Sequence, residues 1–228
     1  MNDKATQGWQ GDIWLAGDHC VLLATPGRTD NHEHYAHQVL IGLGADVEVC
    51  LGGQRYSGPQ VVIPSQQPHA ILSHGVPCIT LFAEPLAFEL ADLALACDQA
   101  GSSPEQLAAS LRHWPRRLLD PRLVKALERI RMLDAQALPA QELASTAALS
   151  ISQLERLFSG TLQLSVRRLV LWQRLRVALQ LALGGASMTE AALAAGFADS
   201  AHFTRSVRRQ FGLSPSTALR QLRLRTLG

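Results

Sequence analysis

The chain has 228 residues, of which 47% are hydrophobic and 18% are charged. This length is enough for one or two domains, and the hydrophobic content excludes an intrinsically disordered chain. The N-terminus, MNDKATQGWQGD, has no apolar signal segment, and the longest apolar stretch, residues 172–183, is broken by glutamine and arginine. We therefore expect a cytoplasmic, nucleoid-associated protein without a transmembrane span.

The two halves of the chain carry opposite charge. Residues 1–100 contain three basic and eleven acidic side chains, a net charge of −8, whereas residues 101–228 contain 18 basic and eight acidic ones, a net charge of +10. Seventeen of these 18 cations are arginine, whose planar guanidinium pairs with phosphate or guanine through two hydrogen bonds. The asymmetry predicts two domains, of which the basic one binds nucleic acid; a solvated basic helical face is the alternative.

The first hundred residues are typical of a β domain. Short apolar runs separated by Gly, Pro, Asp and Asn lie at residues 13–16, 20–24, 38–43, 47–51, 60–64, 69–73 and 78–82. Strands at this spacing predict a sandwich or a small barrel, and Gly52-Gly53 predicts a hairpin. The four cysteines, at positions 20, 50, 78 and 97, match no zinc motif. We expect them to be buried free thiols, with a redox sensor as the alternative.

From residue 86 the pattern is helical. A helix is predicted over residues 86–99, and Ser103-Pro104 begins a second one as N-cap and first-turn proline. Residues 101–120 are expected to form a linker region, and Asp120-Pro121 begins a domain of helices only. Further helices are predicted at residues 139–147, 150–159, 165–183, 188–195, 199–211 and 215–225.

The basic half contains an internal repeat. The offset is 48 residues before a turn and 49 beyond it, so that Ser150 aligns with Asp199 and Arg156 aligns with Arg205. Each unit has a short Ala-rich helix, a tight turn, which carries Gly196 in the second unit, and a second helix with an N-cap and an apolar stripe. We interpret the repeat as two helix-turn-helix units in tandem, against the alternative of an ordinary helical bundle.

The second helix of such a unit enters the major groove of DNA with its N-terminal end, so its outward residues are candidates for base and phosphate contacts. These are Ser152, Gln153, Glu155 and Arg156 in the first unit, and Ser200, Ala201, His202, Thr204, Arg205, Arg208 and Arg209 in the second. The helix between the units, residues 165–183, spans about 28 Å at ~1.5 Å per residue, close to one ~34 Å turn of DNA. We therefore expect the chain to bind two successive major grooves of double-stranded DNA.

Residues 121–220 resemble the DNA-binding domain of AraC/XylS-type transcription regulators. The resemblance rests on residues 142–158, 169–183 and 188–216, above all on the run AGFADSAHFTR followed by FGLSPS. It implies base or phosphate contacts by Ser152, Glu155 and Arg156 in the first unit and by Ser200, Ala201 and Arg205 in the second. The sequence departs from the family pattern at the packing positions Gln163, Val207 and Ala218. Ala201 offers a thymine methyl only an apolar contact.

The N-terminal half resembles the cupin-like β-barrel sensor domains of the same family, through HEHYAHQ (32–38) and IPSQQPH (63–69). In cupin enzymes an HxH pair, an acid a few residues on and a later His hold a metal. His32, His34 and His69 fit this pattern, but Gln38 stands in place of the acid, and His37 is the candidate substitute. We expect His32, His34, Gln38 and His69 to line an effector pocket without a bound metal; a transition-metal site is the alternative.

These observations predict a two-domain fold. An all-β cupin-like barrel over residues 1–100 serves sensing or self-association, and an all-α domain over residues 121–228 carries two helix-turn-helix units joined by a long helix. The predicted function is a sequence-specific DNA-binding transcription regulator that responds to a small effector and has no enzymatic activity and no cofactor. RNA polymerase and a second copy of the chain are further candidate partners.

Two other functions compete with this prediction. One is a cupin-type metal-dependent sensor or enzyme with an appended DNA-binding domain, and the other is a nucleic-acid-binding adaptor without a sensor. The enzyme is disfavoured because Gln38 replaces the acid and because the sequence contains no GxSxG, P-loop or GxGxxG motif.

Overall fold

The structure, a computed structural model, describes residues 9–132, 139–162, 164–219 and 221–225. By its packing the chain forms two compact units. The β-rich unit contains the described residues up to 116 together with those from 204 onward, and the helical unit contains the described residues from 117 to 203. The residues from 204 onward, which were expected in the helical domain, thus pack with the N-terminal half.

The β-rich unit is built on two sheets, as the sequence predicts for the N-terminal half. Six strands form one sheet in the order β6-β3-β8-β2-β1-β9, and three form the other in the order β5-β4-β7. Neighbouring strands are antiparallel, except that β9 is parallel to β1. The strands are β1 (Gln10–Leu15), β2 (His19–Thr25), β3 (His37–Gly42), β4 (Val47–Leu51), β5 (Gln54–Gly58), β6 (Gln60–Ile63), β7 (His69–Ile71), β8 (Cys78–Ala83) and β9 (Gln221–Arg225).

Each of the seven predicted apolar runs overlaps a strand, and β5 is the strand of the N-terminal half that was not predicted. Its sequence, Gln-Arg-Tyr-Ser-Gly, has no apolar alternation, and its residues are exposed except for the half-buried Gly58. The hairpin predicted at Gly52-Gly53 joins β4 to β5. Both glycines have a positive φ, 55° and 89°, which the tightest hairpin turn requires and which glycine adopts without steric cost.

Two helices, α1 (Leu90–Ala100) and α2 (Pro104–His113), pack on the larger sheet. The shared core joins Val21 and Leu81 of the sheet to Leu93 of α1 and Leu107 of α2, all fully buried. Burial of such side chains is the main favourable term in folding, at ~1.5–3 kcal/mol for each. α2 therefore belongs to this unit, although it lies within residues 101–120, which were expected to be a linker.

Helix α1 begins at Leu90 rather than at residue 86. The chain first makes a tight turn, in which the Glu84 carbonyl accepts hydrogen bonds from the N–H groups of Ala87 and Phe88. Leu86, Ala87 and Phe88 are buried in that turn. Their apolar character, which suggested a helix, reflects burial in the core.

The end of the chain is a strand where a helix was predicted. The structure has a short helix, α9 (Pro215–Leu219), followed by β9. The sequence Gln-Leu-Arg-Leu-Arg alternates polar and apolar residues with period two, which is the pattern of a strand. Arg223 and Arg225 donate to the carboxylate of Asp12 in β1, at 2.9 and 2.8 Å. Burial raises the pKa of Asp12, but these bonds outweigh it, and the pKa is lowered.

In the described residues, the helical unit contains no strand, whereas the all-α domain predicted over residues 121–228 also included β9. The helices of the helical unit are α3 (Pro121–Arg131), α4 (Ala140–Thr146), α5 (Ile151–Leu162), α6 (Val166–Leu183), α7 (Met188–Ala194) and the first residues of α8 (Ser200–Phe211). Their bounds lie within a few residues of those predicted. Side-chain caps at Ser103, Asp120, Ser165 and Ser187 define the starts of α2, α3, α6 and α7. None of the described helices is both long and apolar enough for a membrane span.

The four cysteines are free thiols, as predicted. Cys78 and Cys97 are buried, whereas Cys20 and Cys50 are half-buried. Burial raises the pKa of Cys97 to about 12, so this thiol stays protonated and unreactive at neutral pH.

Candidate functional site

The two helix-turn-helix units, α4–α5 and α7–α8, close their turns with the same hydrogen bond. At the matched position of each turn, Ala148 or Gly196 has a positive φ, 53° or 79°. The next residue then donates its N–H to a carbonyl of the preceding helix, which satisfies a group left open at the helix end. The donor and acceptor are Leu149 and Ala144 in the first unit and Phe197 and Ala192 in the second, 2.9 Å apart in both. The repeat predicted from the sequence is thus a repeat of structure.

The second helix of the first helix-turn-helix unit, α5, begins with a reciprocal cap. The Gln153 side-chain oxygen accepts from the Ser150 N–H at 2.9 Å, and the Ser150 hydroxyl accepts from the Gln153 N–H at 3.2 Å. Gln153 thus holds the helix start by its amide oxygen, a role that the sequence analysis did not assign to it. The predicted contact residues Ser152, Gln153, Glu155 and Arg156 are all exposed. Arg156 Nε donates to the Ser152 carbonyl at 3.2 Å.

The second helix of the second unit, α8, is preceded by Asp199, whose carboxylate accepts from the His202 N–H at 2.6 Å. The His202 ring also meets the Phe197 ring edge-on, with centroids 5.2 Å apart. His202 therefore supports the start of the helix, in addition to its predicted DNA contact. Of the other predicted contact residues, Ala201, Arg205, Arg208 and Arg209 are exposed, and Ser200 and Thr204 are half-buried.

The residues that depart from the family pattern differ in their burial. Val207 is fully buried, as a packing position requires. Ala218 is half-buried, and Gln163 lies outside the described residues.

The four predicted pocket residues, His32, His34, Gln38 and His69, lie together in the interior of the β-rich unit. None is more than 7% exposed. The ring centroids of His32 and His69 are 4.1 Å apart, and those of His34 and His69 are 4.9 Å apart. Gln38 Oε1 lies 3.2 Å from His34 Nε2. These four residues, which we call the histidine pocket, therefore form a single buried cluster of side chains.

The pocket is assembled differently from the sequence-based expectation. His32 and His34 were expected to share the face of one strand, but β3 begins only at His37. His32 is instead held by an isolated bridge to His69, in which each N–H donates to the other's carbonyl at 2.8 Å. His37, the candidate substitute ligand, accepts a hydrogen bond at Nδ1 from the Ser65 N–H and is not part of the cluster.

Each imidazole in the pocket places Nδ1 against a backbone carbonyl. The pairs are His32 with Asp30 at 2.8 Å, His34 with Ala36 at 2.9 Å and His69 with Gln67 at 2.8 Å. A carbonyl oxygen only accepts, so Nδ1 carries the hydrogen and Nε2 keeps its lone pair.

The pocket histidines are neutral at pH 7. Burial, and after it the neighbouring imidazoles, lowers the pKa of His32 to about 4 and that of His34 to about 3. Burial also lowers the pKa of His69. One ring nitrogen from each of the three histidines lies within 4.8 Å of the others, so the group is able to hold a metal ion.

The end of α8 lies against the histidine pocket, which the sequence analysis did not anticipate. The Phe211 ring is 6.0 Å from the His34 ring, and the Gly212 carbonyl accepts from the Asp30 N–H at 3.1 Å. Arg208 pairs with the Asp30 carboxylate at 2.9 Å. The sequence signal for this contact is Gly212 after the helix. It predicts where the helix ends but not which residues lie beside that end.

Comparison with known proteins identifies a matching family model and similar solved structures. A family model described as a helix-turn-helix domain matches residues 143–221. A transcriptional regulator of the AraC-type DNA-binding domain-containing proteins from Chromobacterium violaceum is 30% identical, with 42% of this chain and 86% of that chain covered and a TM-score of 0.40. No curated protein matches the chain.

Two structures of ToxT are similar over nearly the whole length. ToxT from Vibrio cholerae O395 is 10% identical, with 92% of this chain and 96% of that chain covered and a TM-score of 0.56. ToxT from Vibrio cholerae strain SCE256 with an unsaturated fatty acid bound is 12% identical, with 95% and 96% covered and a TM-score of 0.53. At such identities the likeness is one of fold, a β-rich N-terminal region followed by a helical helix-turn-helix domain.

The family assignment rests on sequence. The 30% identity extends over most of the Chromobacterium violaceum regulator, and the family model covers both repeat units except the first residues of the first. The chain therefore belongs to the AraC-type family of DNA-binding transcription regulators.

Proposed function

We propose that this regulator reads two successive major grooves of double-stranded DNA with the N-terminal turns of α5 and α8. We further propose that it does so in the cytoplasm under the control of a small ligand bound in the histidine pocket, and that it catalyses no reaction. The observation that carries the DNA proposal is the equivalence of the two helix-turn-helix units. The same turn bond and a polar N-cap place Arg156 and Arg205 at matched positions, both exposed.

The chemistry of the two helix faces supports sequence reading. Each matched arginine has a fork of donors that fits the two acceptors on the major-groove edge of guanine or two phosphate oxygens. Ser152 and Ser200 provide short donors near the helix starts, whereas Ala201 offers only a methyl group. Helix α6, between the units, has 18 residues, which corresponds to about 27 Å and is close to one turn of DNA.

The histidine pocket supports ligand control. Buried polar groups are costly unless they are hydrogen-bonded, and a buried acceptor without a partner calls for an explanation. His69 is fully buried, and its Nε2 has no hydrogen-bond partner among the described residues. A ligand that contacts the imidazoles would remove this cost. The unsaturated fatty acid bound to ToxT indicates that this fold accommodates small ligands, and the three imidazoles here favour one of different chemistry.

A mobility-shift titration with the full chain tests the DNA proposal. The DNA is first selected from a random library by the wild-type protein, and binding is then measured at one fixed salt concentration. We expect Arg205→Ala and Arg156→Ala each to weaken specific binding by ~1–3 kcal/mol, roughly 5- to 160-fold. Arg55→Ala removes the same charge from an exposed site in β5 and should leave the affinity unchanged. Unchanged binding by both arginine variants would contradict the proposal.

A further inference from the structure

We infer that Asp30 inhibits DNA binding by pairing with Arg208, a cation on the face of α8 that we assign to DNA. The Asp30 carboxylate takes the place of a DNA phosphate on this arginine, so the pair has to open before Arg208 contacts DNA. This inference rests on the proposed function, because it names a regulation of the proposed DNA interface from within the chain. Asp30, Arg208 and the residues around them all belong to the β-rich unit.

The first argument is the position of Arg208 on α8. Residues three, four or seven positions apart lie on the same face of an α-helix. Arg208 follows Arg205 by three positions, Thr204 by four and Ala201 by seven. It therefore shares the face that carries the candidate base contacts, one turn further along the helix. An arginine at such a position is suited to a phosphate of the DNA backbone.

The second argument is the partner of this arginine. Arg208 Nη2 donates to Asp30 Oδ2 at 2.9 Å, and the two side chains are 68% and 65% exposed. A carboxylate and a phosphate are both anions, and both accept from the N–H groups of a guanidinium. Asp30 therefore neutralises Arg208 and also repels a phosphate that approaches it. Removal of the Asp30 charge should favour DNA binding.

The third argument is that both ends of the pair are held in place. The Asp30 N–H donates to the Gly212 carbonyl at 3.1 Å, and the Asp30 carbonyl accepts from His32 Nδ1 at 2.8 Å. The Phe211 ring meets the Phe82 ring edge-on, with centroids 5.9 Å apart. These contacts fix the end of α8 beside Asp30, which reduces the entropy cost that weakens most exposed ion pairs. The His32 bond also places the pair next to the histidine pocket.

A mobility-shift titration of the full chain with its selected DNA tests the inference through a gain of affinity. We expect Asp30→Asn to tighten binding by about 2- to 5-fold, the range of a well-positioned exposed ion pair. Misfolding would lower the affinity, so it does not imitate this result. Asp46→Asn removes the same charge from an exposed site between β3 and β4 and should leave the affinity unchanged.

A double-mutant cycle tests whether the gain acts through Arg208. Asp30→Asn should have little effect in the Arg208→Ala background. It should keep its full effect in the Arg209→Ala background, since Arg209 is the adjacent exposed cation. The plot of log affinity against log salt concentration should also be steeper for Asp30→Asn, by about one, because one more phosphate is then neutralised by a cation that was not already paired.

Unchanged or weaker DNA binding by Asp30→Asn, or an equal gain in the Arg208→Ala background, would overturn the inference. Arg156→Ala and Arg205→Ala, measured in the same titration, separate this result from failure of the proposed function. If both of them weaken binding while Asp30→Asn has no effect, only the inhibitory pair is contradicted. If neither weakens binding, the proposed function is contradicted, whatever the effect of Asp30→Asn.

Discussion

The two compact units differ in how far apart along the sequence the residues of their polar contacts lie. Helix α5 of the helical unit begins with a cap in which Ser150 and Gln153 bond to each other within one turn. In the β-rich unit, the carboxylate of Asp18 accepts from Arg116, which is 98 positions away. Local contacts follow from short sequence patterns, whereas distant contacts depend on the complete fold. Substitutions in the β-rich unit should therefore have the larger effects on stability.

The largest effect is expected at Gly212. Its φ is 70°, and a Cβ there would lie 2.5 Å from the Asp30 carbonyl oxygen and 2.8 Å from His32 Nδ1. Gly212→Ala combines this overlap with the cost of a left-handed backbone, so we expect a loss of about 3 kcal/mol in the free energy of unfolding of the β-rich unit. Urea unfolding, followed by circular dichroism, measures this change.

Gly75→Ala is the matched control for Gly212→Ala. Gly75 has nearly the same φ, 74°, but a Cβ there would meet no atom within 4 Å. Only the backbone cost applies, about 1–2 kcal/mol. Equal losses for the two variants would mean that the close approach of Gly212 to Asp30 contributes nothing.

The next effect is the acid sensitivity of the Asp18–Arg116 pair. Burial raises the pKa of Asp18, but hydrogen bonds from His19 and Arg116 outweigh it, and the pKa falls to about 2. The unfolded carboxyl titrates near 3.8, so the stabilisation is complete above that pH and is lost as the pH falls toward 2. It amounts to about 2 kcal/mol. We expect Asp18→Asn to lack this loss between pH 4 and 2, as measured by unfolding at a series of pH values.

Asp120 provides the local counterpart of Asp18. Its pKa is also lowered to about 2, by hydrogen bonds from Arg122, only two residues away on the surface. Exposed pairs contribute little because water and salt screen them. Asp120→Asn should therefore change the acid unfolding curve much less than Asp18→Asn. A larger change for Asp120→Asn than for Asp18→Asn would contradict the distinction between the helical unit and the β-rich unit.

Changes of opposite sign are expected at the two helix-turn-helix turns. Gly196→Ala forces an alanine into a left-handed conformation and should cost ~1–2 kcal/mol. Ala148→Gly removes the steric cost of the same left-handed conformation in the first helix-turn-helix unit, although glycine raises the entropy of the unfolded chain. We expect the free energy of unfolding to rise by about 0.5 kcal/mol. Thermal unfolding of both variants measures these changes. Opposite signs support the equivalence of the turns, and a shared sign would contradict it.

The helical unit could be predicted almost completely from the sequence. Its helices begin at Ser, Asp and Pro residues that act locally, and its repeat is visible as aligned residues such as Arg156 and Arg205. The prediction of a helix was wrong only at residues 221–225, because the alternating pattern of β9 forms a strand where β1 is present beside it. Helix-like composition around this segment concealed that pattern.

The histidine pocket could be predicted only in part. The spacing of His32, His34 and His69 indicated a cluster, and the structure brings these residues together. The direction of each ring could not be predicted, because it depends on carbonyls of irregular backbone such as those of Asp30 and Gln67. The contact of Phe211 with His34 was also hidden, since it joins residues from opposite ends of the chain.

Hydroxyl-radical footprinting of the full chain on its selected DNA site tests the central claim most directly. If α5 and α8 occupy successive major grooves, the wild-type protein protects two segments on one face of the duplex, about 10 base pairs apart from centre to centre. Arg205→Ala should weaken one of the two protections and Arg156→Ala the other. A single protected segment in the wild type, or loss of the same protection in both variants, would contradict the tandem reading of DNA by this regulator.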